Sequence, residues 1–474
     1  MRKGRSTAEP AVRERESGRL HRAIGRGGFF TLAFGATIGS AWIIVLGGWL
    51  GTAGPGGAVV GLLAGAIVTV MVATCYGELA ARFPAAGGEI LYTLETFGRL
   101  PGFLVGWFLT LYAISVCAFE GIALAWFLRL LIPGMDLGVL YTVRGSAVDG
   151  AALIIGLGGT VLIAALHLRG ARFAVRVQSL VTYGFILMTA ALIISGLVLG
   201  SAHNLEPLFA STNGHSWLVG TFWVFADCAY FLNGFQAALH AIEERRREIE
   251  ASTVVRFMLM AVIAAALFYC GVVLSAATAA PWQAIVGREL PAIAAYSALF
   301  PGALISRCIL AAAAVSLLKS WSAMALVASR MVFAQSRSNL LPKWLSQTGT
   351  VSGTPYAAVL FVSVGTAAGV LLGRQAILPI VNMCSICLAL SFVVCLLVLI
   401  RRRRKDVDPP AFVAPGKGFV WIALAGSAIM GAAAILNPLV QQSDRLPLEW
   451  IMIAAWGGLG LLVAAAGGLM AKRA

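Results

Sequence analysis

"FGATIGSAW" occupies residues 34–42, inside a run that is otherwise apolar enough to cross a membrane. Glycine weakens a helix interior by roughly 1 kcal/mol relative to alanine, so Gly35, Gly39 and Ser40 in mid-run need a reason. Irregular backbone at membrane depth survives only where protein or a water-filled cavity surrounds it. One reading is a broken helix, which exposes unpaired N–H groups and a positive dipole end at the start of its second half. Such an end cradles a carboxylate without any basic side chain, and the carbonyls freed just before the break can receive an ammonium group. The other reading is that small residues only let a neighbouring helix pack closely.

The rest of the 474-residue chain puts that run in a membrane. Hydrophobic residues make up 59% of it and charged ones 12%, and the mean hydropathy is +0.88, a balance that excludes an ordinary soluble domain. About twelve apolar stretches have the ~20 residues needed to cross the hydrocarbon core, and a β-barrel's short alternating segments are not seen. The formal charge of +15 is concentrated on one side. With a cytoplasmic N-terminus and alternating crossings, only Arg129, Arg144, Arg288, Arg307, Arg374 and Arg445 fall outside, and Lys319 alone lies mid-helix. This positive-inside pattern places both termini in the cytoplasm and reads "RRRRKD" (401–406) as an anchor against anionic lipid, with no nucleic-acid role. Residues 1–26 read as a disordered cytoplasmic arm. No signal or transit peptide is read there, which suits a plasma or bacterial inner membrane. The eight cysteines lie in or beside apolar segments as packing residues. Cys384-x-x-Cys387 lacks the His or second Cys pair of a metal site.

Secondary transporters often carry paired discontinuous helices in inverted repeats, so a second interruption is expected. "FADCAYFLNGFQAALHAIEE" (225–244) supplies it, with Asp227, Asn233, Gly234 and Gln236 in an apolar background five segments after the first. The two repeats are then about 27–200 and 217–400. A basic loop (401–417), two accessory helices and a short tail (418–474) follow.

The chain resembles the amino acid-polyamine-organocation transporter superfamily over about residues 20–435. "GATIGSAW" is similar to that family's unwound first-helix motif, and "YGELAARFPAAGGEILYT" (76–93) to its link between helices two and three. "ASRMVFAQSRSNLLPKWL" (328–345) resembles the end of helix eight, and "LIRRRRKDVDPPAFVAPG" (399–416) the loop after helix ten. The resemblance implies an all-α integral membrane protein of about 12 helices, a leucine-transporter-type 5+5 inverted repeat with helices 1 and 6 discontinuous. It implies alternating access with an amino acid or related amine as substrate. Carried over, it puts a substrate carboxylate on the N–H groups around Gly39, Ser40 and Ala41, and an ammonium near the carbonyls of Thr37, Tyr230 and Asn233, beside Gly234. Tyr230 is the gate candidate, against the plainer reading of an aromatic packing residue. Three departures stand out. Ala41 replaces the motif's usual third glycine, and Phe185 stands where some proton-coupled relatives carry a lysine. "EERRREIE" (243–250) lacks the usual Asn-Pro turn.

An ionisable group at the bilayer centre usually faces the bundle interior and has a partner, and Glu120, Asp227 and Lys319 qualify. A Glu120–Lys319 pair is geometrically plausible, since the family's third and eighth helices flank its binding site; it would be a static ion pair, or one that titrates or contacts substrate and replaces the amine missing at Phe185. A misplacement of either near the surface stays open. Glu78 and Arg82, one turn apart, are read as a helix-end contact, and His240 as hydrogen-bonded packing, with a proton-handling role as the alternative. The expected function is a secondary active transporter of an amino acid or related amine, by proton symport or exchange. The alternatives are a polyamine or ethanolamine-type permease and a non-transporting amino-acid sensor. No enzyme site, metal or cofactor is read from the sequence.

Overall fold

Apolar runs punctuated by glycine and proline fold here into helices whose ends fall where the hydropathy breaks. The computed structural model describes residues 24–466 except 84–86, 133, 136, 170, 213, 247, 350–352, 407–408 and 441–445. The arm expected at the N-terminus and the tail after residue 466 therefore lie largely outside the described residues. The elements are α1 (Arg26–Thr37), α2 (Trp42–Arg82), α3 (Glu89–Phe97), α4 (Arg99–Leu131), β1 (Val139–Val143) and β2 (Ser146–Asp149). They continue with α5 (Gly150–Leu168), α6 (Ala171–Leu199), α7 (Trp217–Phe231), α8 (Gln236–His240), α9 (Ala251–Ala279), α10 (Trp282–Ile285) and α11 (Pro291–Leu299). The last are α12 (Ala303–Arg337), α13 (Tyr356–Val370), α14 (Ile377–Lys405), α15 (Lys417–Val440) and α16 (Leu448–Ala466).

Ten helical stretches among the described residues are long and apolar enough to cross a membrane, and α13 is a shorter apolar helix. α2 has 41 residues, about 60 Å at 1.5 Å per residue and twice one crossing. Its backbone leaves helical geometry at Gly54 (φ 69°, ψ 171°), just before Pro55, so α2 is two helices end to end. Leucine, isoleucine and valine side chains such as Ile67, Leu180, Leu187 and Val364 stand exposed on the outer faces, as a lipid-facing surface requires. The protein is an all-α integral membrane protein apart from one antiparallel hairpin, β1–β2. That hairpin was not expected from the sequence; "VRGS" makes its turn, with Arg144 at φ 49°.

α4 and α12 lie side by side at the centre, and α1 packs among α6, α9 and α12. α7 closes on α2 along Gly57, Gly61 and Gly65; a Cβ at Gly65 would lie 2.4 Å from the Cys228 side chain. This is the small-residue packing by which membrane helices approach.

The basic end of the bundle corrects two expectations. Ile24 is buried, its N–H donates to Glu244 O (2.9 Å) and its carbonyl accepts from Arg246 N (3.1 Å), so the segment expected as a loose arm is docked from Ile24 onward. α14 continues as helix through Lys405, so the basic segment expected as a loop begins helical. Part of its arginine run turns inward. Arg402 donates to Thr96 Oγ1 (2.9 Å) and Glu95 O (2.6 Å). Arg403 binds both oxygens of the buried Glu78. Arg82 reaches Glu78 Oε1 at 2.9 Å, the helix-end contact expected, and Ala414 N donates to Glu78 Oε2 at 2.9 Å. Arg404 and Lys405 stay exposed.

Removing one partner of a buried ion pair costs about 3–5 kcal/mol. Glu78→Ala, which removes the carboxylate shared by Arg82 and Arg403 and leaves Arg82 with Asp406 and Arg403 with the Ala414 and Pro415 carbonyls, is therefore expected to lower the unfolding temperature of the detergent-purified protein clearly. An unchanged melting curve would show that the Glu78 network contributes nothing to stability.

Candidate functional site

α1 ends at Thr37 because the chain turns extended at Ile38 (φ −108°, ψ 99°), and α2 begins at Trp42. The last turn of a helix leaves carbonyls without intrahelical donors; at α1 they are met by side chains from other helices. Lys319 of α12 donates its ammonium to Gly35 O at 3.0 Å and to Ile38 O. Tyr269 of α9 donates its hydroxyl to Thr37 O at 3.2 Å, so the carbonyl expected to take a ligand's ammonium already has one donor. Thr37 Oγ1 donates back to Ala33 O (2.8 Å).

Across the gap, the first bonds of α2 run from Ile43 N to Ser40 O (3.1 Å) and from Ile44 N and Val45 N to Ala41 O (3.0 and 3.1 Å). The N–H groups of Gly39, Ser40, Ala41 and Trp42 have no acceptor among the described residues. Ser40 Oγ donates to Ala313 O (2.9 Å) and ties the break to α12.

The second break runs from Leu232 to Phe235, between α7 and α8. Gly234 sits at φ +106°, and a Cβ there would lie 2.4 Å from Thr37 N. Only glycine fits, because the two interruptions touch backbone to backbone. Asn233 Nδ2 donates to Tyr112 Oη of α4 at 2.9 Å, while its Oδ1 has no partner among the described residues. Tyr230 is half-buried, its ring edge-on to Phe231 at 5.0 Å.

Glu120 and Lys319 are each 2% exposed. Whether they pair is open from the sequence, and they form no direct ion pair: no such contact occurs within 4.0 Å among the described residues. Glu120 Oε1 instead accepts from Ser320 Oγ at 2.6 Å, and Oε2 has no partner there. The reason is competition. The ammonium is closer to strong acceptors at the end of α1, where a helix C-terminus favours a cation, and the adjacent hydroxyl takes the carboxylate. Glu120 faces the break itself, since a Cβ on Gly39 would stand 3.3 Å from Glu120 Oε1 and 3.4 Å from Ser320 Oγ. Lys319 Nζ also lies 4.8 Å from the centre of the Phe185 ring, within cation–π range. Asp227 stands apart, accepting from Trp49 Nε1 at 2.9 Å and joining α7 to α2.

Thr37, Gly39, Ser40, Ala41, Asn233 and Gly234 thus meet with Glu120 and Lys319 at the crossing of the two breaks. Sequence reasoning missed Ser320, Tyr112 and Tyr269. Ser320 had a signal, as the hydroxyl beside a mid-membrane lysine; the two tyrosines had none, because aromatic residues are common on any packed helix.

With this geometry in place, the comparisons are direct. The family described as "Amino acid permease" matches residues 26–460. The chain belongs to that family. This permease is 26% identical over 461 residues to the branched-chain amino acid permease BcaP of Bacillus subtilis, covering 94% of this chain and 92% of the relative. It is 28% identical to the aromatic amino acid transport protein AroP of Corynebacterium glutamicum over 70% of this chain and 72% of that one. The methylthioribose transporter of Bacillus subtilis is 24% identical over 91% of this chain and 90% of its own length. The superfamily expected from the sequence motifs is therefore the right one, and the permease is a secondary transporter for amino acids and not an enzyme.

An alanine at Gly234 meets both a forbidden φ and the Thr37 backbone, a strain of about 1–3 kcal/mol or more. Gly234→Ala is expected to lower the melting temperature and to expose the α1 break to water-soluble probes. A variant with normal stability and probe labelling would mean that the two breaks need not touch.

Proposed function

We propose that this permease carries a neutral, apolar amino acid through the chamber where the two breaks meet, by alternating access coupled to a proton. The observation that carries the reading is the set of N–H groups at Gly39, Ser40, Ala41 and Trp42 without acceptors, at the positive end of α2. They receive the substrate carboxylate, as helix N-termini receive anions. The free Asn233 Oδ1 and the carbonyls near Thr37 and Tyr230 receive its ammonium. Tyr230, half-buried beside the chamber, is the gate. The names of the permeases for branched-chain and aromatic amino acids agree with a neutral, apolar side chain.

Coupling follows from Coulomb's law at close quarters. Glu120 Oε1 faces Gly39, so an ionised Glu120 repels the carboxylate that the Gly39 N–H attracts. A protonated Glu120 does not. Proton and substrate therefore favour each other's binding, which is the linkage a symporter needs. Lys319 fixes the first half of the broken helix by its ammonium and releases it when that charge is lost. It stands at Phe185 and supplies the amine that position lacks. Asp227 shares the outer half of the path with Trp49 and contributes to gating there.

The basic end, with Arg82, Arg337 and Arg401 to Lys405, faces the cytoplasm together with both termini, and exposed Arg404 and Lys405 meet anionic lipid. The membrane is the plasma or bacterial inner membrane. Counting α1 with the first half of α2, the second half of α2, and α7 with α8 as single crossings gives twelve, in two repeats of five with α15 and α16 added.

The test is uptake of labelled leucine and phenylalanine into proteoliposomes under an imposed pH gradient. Wild-type protein is expected to accumulate substrate when the outside is acidic. Lys319→Met, which leaves buried carbonyls without a donor at about 1–3 kcal/mol, is expected to fall at least tenfold in rate and to ignore the gradient. Gradient-driven accumulation by Lys319→Met equal to that of wild type overturns the coupling role.

A further inference from the structure

At the basic end, away from the chamber, a second pair of ionisable side chains is sealed inside the protein. Glu89 Oε2 lies 3.0 Å from His240 Nε2, and both side chains are fully buried. The approach is an ion-pair contact and not an aligned hydrogen bond. Neither atom meets hydrogen-bond geometry, and Glu89 Oε1 and His240 Nδ1 also have no hydrogen-bond partner among the described residues. Such a contact is attractive through charge alone. With a neutral imidazole, four buried polar atoms are left without a hydrogen bond, which is costly; with an imidazolium, two opposite charges face each other in a low-dielectric site.

The chain builds this contact deliberately. Gly88, at φ +45°, lets α3 start directly beneath the imidazole; a Cβ there would sit 3.1 Å from His240 Cε1. His240 is the last residue of α8, the five-residue half-helix that begins after the Gly234 break. The pair therefore links α8, the short helix that follows the Gly234 break, to the loop helix α3. Titratable groups among the described residues that feel the Glu89 charge include Tyr76 of α2, Tyr92 of α3, Tyr112 of α4 and Cys395 of α14. Burial first, then the Glu89 charge, holds the Tyr92 phenol well above the usual range, so it stays neutral. Arg330 of α12 is engaged by Glu244 at 2.7 Å.

We infer that Glu89 and His240 form a proton-dependent latch: the imidazolium–carboxylate pair locks α8 onto α3, and loss of the imidazole proton to water at the basic end frees α8. The inference rests on the proposed transport reading only for its meaning, since an opening of α8 is then the opening of the cytoplasmic gate. Because the attraction exists only while the imidazole carries its proton, the latch holds on the acid side and lets go on the alkaline side.

Hydrogen exchange read by mass spectrometry tests the latch without any substrate. The full-length permease in lipid nanodiscs is compared at about pH 6 and about pH 8, after correction for the intrinsic pH dependence of exchange. The peptide covering residues 236–246 is expected to open roughly tenfold more at the higher pH, the scale of one buried charge titrating, while peptides of α15 do not change. His240→Gln and Glu89→Gln are both expected to open this peptide and to remove its pH dependence. Wild-type protection that is the same at both pH values, or a pH dependence that persists in His240→Gln, overturns the proposal. If either variant misfolds, the wild-type comparison still decides it. Uptake that fails while the pH-dependent protection persists would refute the proposed transport function and leave the latch standing.

Discussion

The ammonium of Lys319 against the orphan carbonyls of α1 is the interaction on which the rest of the chamber depends. A helix that stops in mid-bundle leaves acceptors with no water to satisfy them, and one positive charge from α12, with the Tyr269 hydroxyl beside it, answers three carbonyls at Gly35, Thr37 and Ile38. Those bonds hold the first half of the break, and in the second half the N–H groups at Gly39 to Trp42 have no partners among the described residues. Glycine at 234 then lets the other broken helix press against the same point. Taking the ammonium away removes the support of the whole arrangement, and not one bond among many.

The distribution of charge in the bundle has the same logic. Three buried acidic groups at the basic end, Glu78, Glu89 and Glu244, each meet a basic partner, whereas at the two breaks Glu120 meets a serine hydroxyl and, among the described residues, keeps one oxygen without a partner. A buried carboxylate without a counter-charge is expensive to maintain. Its presence beside four unsatisfied N–H groups gives, in the transport cycle we propose, a site where a proton and a substrate carboxylate each lower the cost of the other.

Much of the fold was legible because membrane physics leaves few options. Hydropathy alone set the helices, the glycines of "FGATIGSAW" marked the first break, and Asn233 and Gly234 marked the second. What the sequence could not show was partner choice at close range. Glu120 and Lys319 sit on helices that do touch, yet Lys319 prefers backbone carbonyls whose position depends on where α1 stops. The arginine run at 401–404 looked like a lipid anchor, but helical periodicity turns Arg402 and Arg403 toward Thr96 and Glu78. Tyr112 and Tyr269 carry their meaning only in the hydroxyl's destination, and the Glu89–His240 contact joins residues separated by a break that no periodicity spans.

In the transport cycle we propose, bare backbone at the α1 break holds the charged end of the substrate. Thermal unfolding of the purified permease with leucine, and with isoamylamine, which is leucine without its carboxylate, tests this most directly. Binding to the folded state raises the melting temperature by mass action. The account predicts a concentration-dependent rise with leucine and none with the amine. An equal rise with both, or a rise with the amine alone, would contradict it and move the recognition of substrate from the backbone of α1 to Glu120.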